Sequence, residues 1–241
     1  MRRPTKTVKQ PGSEAAMASR TRKELHMSHI EGVPEKRHPL ARIAYAAARR
    51  EVGRMTGKRL MTPDIPVRAH RFGQLLGYAV LEKSVASRPR VPEHLRALAV
   101  LKSAVMQGCE MCQDIGSFEA RTKGVSDAQI RDLYRYQESP EFDATERLVL
   151  DLAVAMTLTP VRVSEEMIGQ LSEVFDEPQL VELVHLVAVE NLRSRFNAAF
   201  GLGAAGFSEG MACARMEPAP SSLQPPAPVE APSREGAALA S

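Results

Sequence analysis

Apolar residues recur at helical spacing, stretch after stretch, from about residue 38 to residue 210. No segment of that span alternates apolar and polar residues the way a half-buried strand does. In "VPEHLRALAVLKSAVMQG", Leu95, Leu98, Ala99, Leu101, Val105 and Met106 form one stripe, Pro92 and Glu93 suit a first turn, and Gly108 suits a stop. Other stretches start on residues that cap helices. Ser126 precedes "DAQIRDLYRYQ", Asp143 precedes "ATERLVLDLAVAMTL", and Ser164 precedes "EEMIGQLSEVF". "HPLARIAYAAARREVGRM" spaces Leu40, Ile43, Ala47 and Val52 along one face, and the stretch after Pro66 does so with Phe72, Leu75, Leu76, Val80 and Leu81. The pattern predicts one all-α domain of about eight helices over 38–210.

The flanks differ. Residues 1–37 are polar and lack sustained apolar periodicity, so a disordered basic tail is expected there. Residues 1–40 hold nine Lys/Arg against four Asp/Glu, while the rest of the chain is nearly balanced. A solvated tail on a near-neutral domain accounts for this without nucleic acid. Residues 211–241 are expected to form a second disordered tail, with six prolines in the last 26 residues. There is no Trp and only 5% aromatic residues, so the core must come from Ala, Leu, Val and Met. No 18-residue apolar run suggests a membrane span, and the basic start lacks the apolar segment of a secretory signal. A cytoplasmic, reducing setting is the resulting expectation.

Two of the three cysteines, Cys109 and Cys112, lie in "GCEMC" directly after the Gly108 stop. At i and i+3 in a first helical turn they share a side and come within disulfide reach. Exposed amides at a helix N-terminus stabilise a thiolate, and a second thiol nearby can resolve an oxidised sulfur. Glu110 and Asp114 oppose this, because a like charge raises a thiol's pKa. A closed zinc site needs four ligands, and the second CxxC is missing. His26 and His29 have tolerable spacing but fall in the basic tail. Two small buried cysteines with no chemistry are the bland alternative.

"LRALAVLKSAVMQGCEMCQDIGSFEAR" resembles the core of the carboxymuconolactone decarboxylase superfamily, in particular its alkylhydroperoxidase D-like branch. The chain from Phe142 to Gly203 resembles that family's remaining helices, including a closing Glu-Asn-x-x-x-Arg-x-Asn segment at 190–197. The resemblance covers about residues 60–205. It implies an all-α fold of the alkylhydroperoxidase D-like type that forms homo-oligomers. It also implies a peroxiredoxin-type activity in which Cys112 attacks a hydroperoxide, Cys109 resolves it, and a thiol reductant restores the pair. No metal or organic cofactor is implied, and neither nucleic acid nor membrane is an expected partner.

This sequence departs from the branch at two places. The relay histidine four residues after the second cysteine is here Gly116, and the relay glutamate twelve residues before the first is Ala97, following Arg96. A positioned acid–base group contributes about 10²–10⁴ in rate, so peroxidase activity would be weakened or served by another base. Glu190 is the candidate substitute, because Glu190 and Asn197 share a helix face. The plainer alternative for that polar group is a structural hydrogen-bond network at a helix crossing. Other readings are a non-catalytic redox sensor or scaffold and a decarboxylase-like lyase. His94 and His185 are read as structural, and Cys213 as a free thiol after the last helix.

Overall fold

A computed structural model describes residues 28–34, 39–57 and 61–214. The described residues are helical and contain no strand. The α-helices are α1 (Pro39–Thr56), α2 (Asp64–Arg68), α3 (Phe72–Val85), α4 (Glu93–Met106), α5 (Glu110–Thr122), α6 (Asp127–Asp132), α7 (Ala144–Thr157), α8 (Glu165–Ser172) and α9 (Glu177–Ala199). Short 3₁₀ turns follow α2 and α6.

The starts of α6, α7, α8 and α9 lie where side chains satisfy the orphan N–H groups of a first turn. Ser126, Asp143 and Asp176 each close a reciprocal capping box, with Gln129, Glu146 and Gln179, and Ser164 accepts from Met167 N–H. Each such cap contributes about 1 kcal/mol.

Helix α4 is the hub. It packs against α5, α7 and α9, and of residues 95–105 only Val100 is not fully buried. That needs small residues among large ones, which Ala97, Ala99 and Ala104 supply between Leu95, Leu98, Leu101 and Val105. One side of α4 joins Ala120, Ile130, Phe142 and Leu150 in a core cluster. The other side joins Val149, Leu152, Leu171, Leu183 and Val187 in a second. Each fully buried Leu or Val side chain stabilises the fold by about 1.5–3 kcal/mol.

The expected inner face of α1 is corrected. Ile43 is 66% exposed and Ala47 is exposed, while Tyr45 is buried and donates its hydroxyl to Val33 O at 2.6 Å. The Leu40 side chain lies outside the described positions. In α3, Leu75 is buried but Leu76 and Val80 are exposed. Periodicity finds an apolar stripe but not what stands opposite it. Here residues 28–34, which the sequence assigns to the tail, supply the acceptor for Tyr45. That segment lies against the domain through Val33 N–H to Pro66 O and His29 N–H to Phe200 O. The rest of 1–37 and nearly all of 211–241 lie outside the described residues.

At the other end, residues 205–214 strap back over α5. Asp114 accepts three backbone N–H bonds from the strap, Ala205 and Phe207 at 2.9 Å and Ser208 at 2.6 Å. Ser208 Oγ donates to Asp114 O, Ala214 N–H donates to Ser117 Oγ, and Arg121 donates to Ala212 O. Asp114→Ala would leave three amides without their acceptor, at about 1–3 kcal/mol for each that water cannot reach. The expected result is a loss of about 3–5 kcal/mol in denaturant unfolding, with faster hydrogen exchange at Ala205, Phe207 and Ser208. A loss below about 1 kcal/mol would show that Asp114 does not hold the strap.

Candidate active site

The turn between α4 and α5 puts both cysteines in place. Gln107 caps α4, and Gly108 takes φ +64, a left-handed value that costs a side chain about 1–2 kcal/mol. Its conformation lets Cys109 N–H reach back to Ala104 O at 3.2 Å. Cys109 thereby becomes the N-cap of α5, and its Sγ accepts from Cys112 N–H at 3.2 Å. Cys109 and Cys112 are joined as a disulfide with Cα atoms 5.2 Å apart. The pair lies at the positive end of the α5 dipole, where a thiolate is favoured.

The surroundings are apolar. Cys109 is 2% exposed and Cys112 8%, and Val67, Ala104, Met111 and Leu202 complete their cluster, with Phe196 and Phe200 packed against it. The two acids that were expected to oppose a thiolate are differently placed. Glu110 is exposed, and both carboxylate oxygens of Asp114 are taken up by the strap amides.

One polar side chain reaches the sulfurs from α9. Asn197 Nδ2 is 3.3 Å from Cys112 Sγ and 3.7 Å from Cys109 Sγ. Asn197 is 1% exposed, and its Oδ1 is buried with no hydrogen-bond partner. Asn197 is therefore the residue of the Glu190/Asn197 face that meets the sulfurs.

Glu190 is engaged elsewhere. Its Oε2 accepts from Arg193 at 3.0 Å and its Oε1 from Ser194 at 2.8 Å. Arg193 also forks onto Glu82 of α3, Nε to Oε1 at 2.7 Å and Nη2 to Oε2 at 2.5 Å. Burial pushes the Glu190 carboxyl up, more than Arg193 and Ser194 pull it down. Burial would raise Glu82 too, but the Arg193 fork outweighs it and holds that carboxyl below its usual range. Burial, then the Glu82 and Asp64 charges, push the Tyr78 hydroxyl well up, so it stays protonated beside Glu82. Next to this network the Arg68 guanidinium lies 3.7 Å from the ring centroids of both Tyr78 and Phe196. Phe196 thus links the charged network to the apolar cluster around the cysteines.

The relay positions are filled without acid or base. Ala97 is buried in α4, and a Cβ added at Gly116 would come within 3.1 Å of Leu101 Cδ1. Leu101 already holds part of the space a side chain at 116 would enter. Cys213 is exposed and accepts from Ser117 Oγ at 3.6 Å, and burial pushes its thiol up. His185 is hydrogen-bonded to Ser84 at 3.2 Å. Among the described residues no group of three His, Cys, Asp or Glu could hold a metal, and no helix is long and apolar enough to cross a membrane.

The model of the carboxymuconolactone decarboxylase family matches residues 77–155, the stretch that holds α4, the cysteine turn and α5. The uncharacterized protein YdfG of Bacillus subtilis is 32% identical over 111 residues, which span 46% of this chain and 76% of that protein. The chain belongs to the carboxymuconolactone decarboxylase family. The uncharacterized protein YnjA of Escherichia coli is 34% identical over 112 residues, and the match spans 46% of this chain and 62% of YnjA's length.

Two solved structures share the fold. The debrominase Bmp8 superposes with TM-score 0.63 at 18% identity, over 74% of this chain and 92% of Bmp8. An uncharacterized peroxidase-related protein from Ralstonia eutropha, described as an alkylhydroperoxidase AhpD core, superposes with TM-score 0.59 at 17% identity, over 71% and 93%. The all-α family fold is thus of the alkylhydroperoxidase D-like type. The matched stretch contains the disulfide-linked Cys109–Cys112 pair.

Proposed function

We propose that this family member is a thiol-dependent peroxidase that reduces hydroperoxides with the Cys109/Cys112 pair. The carrying observation is a disulfide-linked CxxC at a helix N-terminus, in an apolar cluster, with a hydrogen-bond donor on the sulfurs.

The cycle balances with the groups present. The Cys112 thiolate attacks the terminal oxygen of ROOH, the O–O bond breaks, and Cys112–S–OH and RO⁻ form. The Cys109 thiol protonates RO⁻ to the alcohol, and the Cys109 thiolate left behind is held by Cys112 N–H and the α5 dipole. That thiolate attacks the Cys112 sulfur, forms the disulfide and expels hydroxide. The hydroxide takes up the proton released when Cys112 ionised. A dithiol reductant then reopens the bond by exchange. Cys109 thus supplies the proton a relay histidine would give, and Glu190 acts as a positioning residue that fixes Arg193 rather than as the base.

The deciding experiment is stopped-flow oxidation of the reduced protein by hydrogen peroxide and by an organic hydroperoxide, with peptide mass spectrometry. Rapid loss of two thiols per hydroperoxide, with a Cys109–Cys112 bridge as product, is the expected result. Oxidation no faster than that of a free cysteine would end the peroxidase reading.

A second substrate class suits the same electrons. The fold neighbour Bmp8 is a debrominase, and a variant of it has been solved in complex with 2,3,4-tribromopyrrole. The side chains packed around the pair here are apolar. A dithiol can replace carbon–bromine by carbon–hydrogen, releasing bromide and forming the disulfide. Bromide release from a bromopyrrole, measured beside peroxide consumption, separates the two.

We also propose that the chain works as a homo-oligomer. Helix α3 exposes Leu76 and Val80, and α9 exposes Val181, Val184 and Leu192. A second copy of this chain is the expected cover. Val80→Glu should lower the mass measured by light scattering to that of one chain. An unchanged mass would place the contact elsewhere.

A further inference from the structure

The Cys112 N–H serves Cys109, the N-cap sulfur, while the α5 dipole acts on both sulfurs of the pair. Cys112, the attacking sulfur under the proposed function, needs its own hydrogen-bond donor. With Ala97 and Gly116 at the relay positions, none comes from there.

Asn197 is placed to supply it. Its Nδ2 is closer to Cys112 Sγ than to Cys109 Sγ, 3.3 Å against 3.7 Å. A disulfide sulfur or a thiolate can only accept, so the N–H side of the amide is the side that faces the pair. The other end of the amide is unusual. Oδ1 is buried and has no partner, and an unsatisfied buried acceptor costs about 1–3 kcal/mol. Native structures satisfy most such atoms, so one left open beside reactive sulfurs marks a place for a ligand's donor.

We infer that Asn197 is a catalytic residue with two functions: Nδ2–H stabilises the Cys112 thiolate, and Oδ1 accepts the O–H of the hydroperoxide. This rests on the peroxidase reading for its second half only. In the attack, the terminal oxygen bonds to Cys112 Sγ and keeps its hydrogen, so the O–H···Oδ1 bond persists from bound ROOH to Cys112–S–OH. Nδ2 holds the sulfur and Oδ1 holds the oxygen, which places the O–O bond for displacement without a base. Substrates that present a terminal O–H, hydrogen peroxide and alkyl hydroperoxides, fit this requirement. Dialkyl peroxides, which lack that hydrogen, do not.

The test uses the full chain with Asn197→Leu, Asn197→Asp and Asn197→Gln. Each is made in a background of Cys109→Ser with Cys213→Ser, so that Cys112 alone is read. The first measurement is the pH midpoint of Cys112 alkylation by iodoacetamide. Loss of the N–H bond in Asn197→Leu should raise the midpoint by about one unit. Asn197→Asp should raise it further, because it adds a like charge. Asn197→Gln, which keeps the amide, should recover part of the shift. The second measurement is the oxidation rate by hydrogen peroxide, corrected for the thiolate fraction. It should fall about 10–100-fold in Asn197→Leu.

Midpoints within about 0.3 units of the parent in both Asn197→Leu and Asn197→Asp, with helical circular dichroism retained, would overturn the Nδ2 function. A corrected rate within twofold of the parent, or equal consumption of a dialkyl peroxide, would overturn the Oδ1 function. If Asn197→Leu fails to fold, Asn197→Ala in the same background, which adds no charge, decides. If the parent protein does not react with any hydroperoxide, the peroxidase reading fails together with the Oδ1 function, while the alkylation midpoints still decide the Nδ2 function.

Discussion

If the pair is a peroxidatic centre, Cys112→Ser should reduce hydroperoxide consumption to the rate of an unactivated thiol, and Cys109→Ser should slow the first oxidation, for want of the Cys109 proton, while abolishing turnover. The asymmetry follows from the two sulfurs' positions. Cys112 is the more exposed of the two, 8% against 2%, and takes the shorter contact from Asn197. Cys109, as N-cap with the Cys112 N–H on its sulfur, is the better leaving group when the bond is reopened. In Cys109→Ser, Cys112 should therefore stop at sulfenic acid, trappable by dimedone, with one hydroperoxide consumed per chain. In Cys112→Ser no such adduct forms. The reverse pattern, with turnover retained in Cys112→Ser, would reassign the attack to Cys109. A redox sensor without catalysis would show reversible disulfide formation in the parent but no sustained turnover with dithiol reductant.

Arg193→Met should cost about 3–5 kcal/mol of stability, because it strands a buried carboxylate. Glu190 has 3% of its side chain exposed and Glu82 34%, so Glu190 carries most of the penalty. The methylene stem of Arg193 is replaced, so lost packing is small and the charge dominates. Glu190→Gln should do the opposite. It keeps the acceptor for Ser194 and removes a charge that burial disfavours, so stability at neutral pH holds or rises.

The pH dependence separates the two acids. Glu190's folded pKa is raised, so its contribution is fully present below the ordinary glutamate range and is lost as pH rises through the raised value. Glu82's folded pKa is lowered, so its contribution is present above the ordinary range and is lost as pH falls through the lowered value. Unfolding free energies of the parent and Glu190→Gln, measured from pH 4 to 8 (about the range that brackets these groups), should diverge as pH rises, with the parent falling behind. A flat difference would mean that Glu190 is ionised at no cost. A stability loss below about 1 kcal/mol in Arg193→Met would mean the network relaxes into water.

The same network connects stability to chemistry. Arg193 ties α9 to α3 through Glu82, one turn before Asn197. Slippage of α9 there would move the Asn197 amide off the sulfurs. Arg193→Met is therefore also expected to raise the Cys112 alkylation midpoint, though Arg193 touches neither cysteine in the described contacts.

The local chain carried much of this architecture. Helix content, the starts at Ser126, Asp143 and Ser164, and the stop at Gly108 follow from capping and backbone preferences that act within a few residues. The placement of Cys109 and Cys112 in one first turn follows from i, i+3 spacing, and the family from the motif around them. What stands across from each side chain depends on residues distant in sequence. Periodicity put Ile43 inward, but Tyr45 points in because Val33 offers an acceptor twelve residues away. Asp114 looked like a charge against the thiols, and the strap at 205–208 takes that charge up. Glu190 and Asn197 share a face, and the sequence singled out Glu190 of the two as the substitute base. Within α9, i,i+3 and i,i+4 spacing gives Glu190 to Arg193 and Ser194, while the packing of α9 against α5 gives Asn197 to the sulfurs. Short-range rules set the helices and the cysteine turn. Only tertiary packing could assign partners, because a hydrogen bond across 85 residues leaves no local trace in either segment.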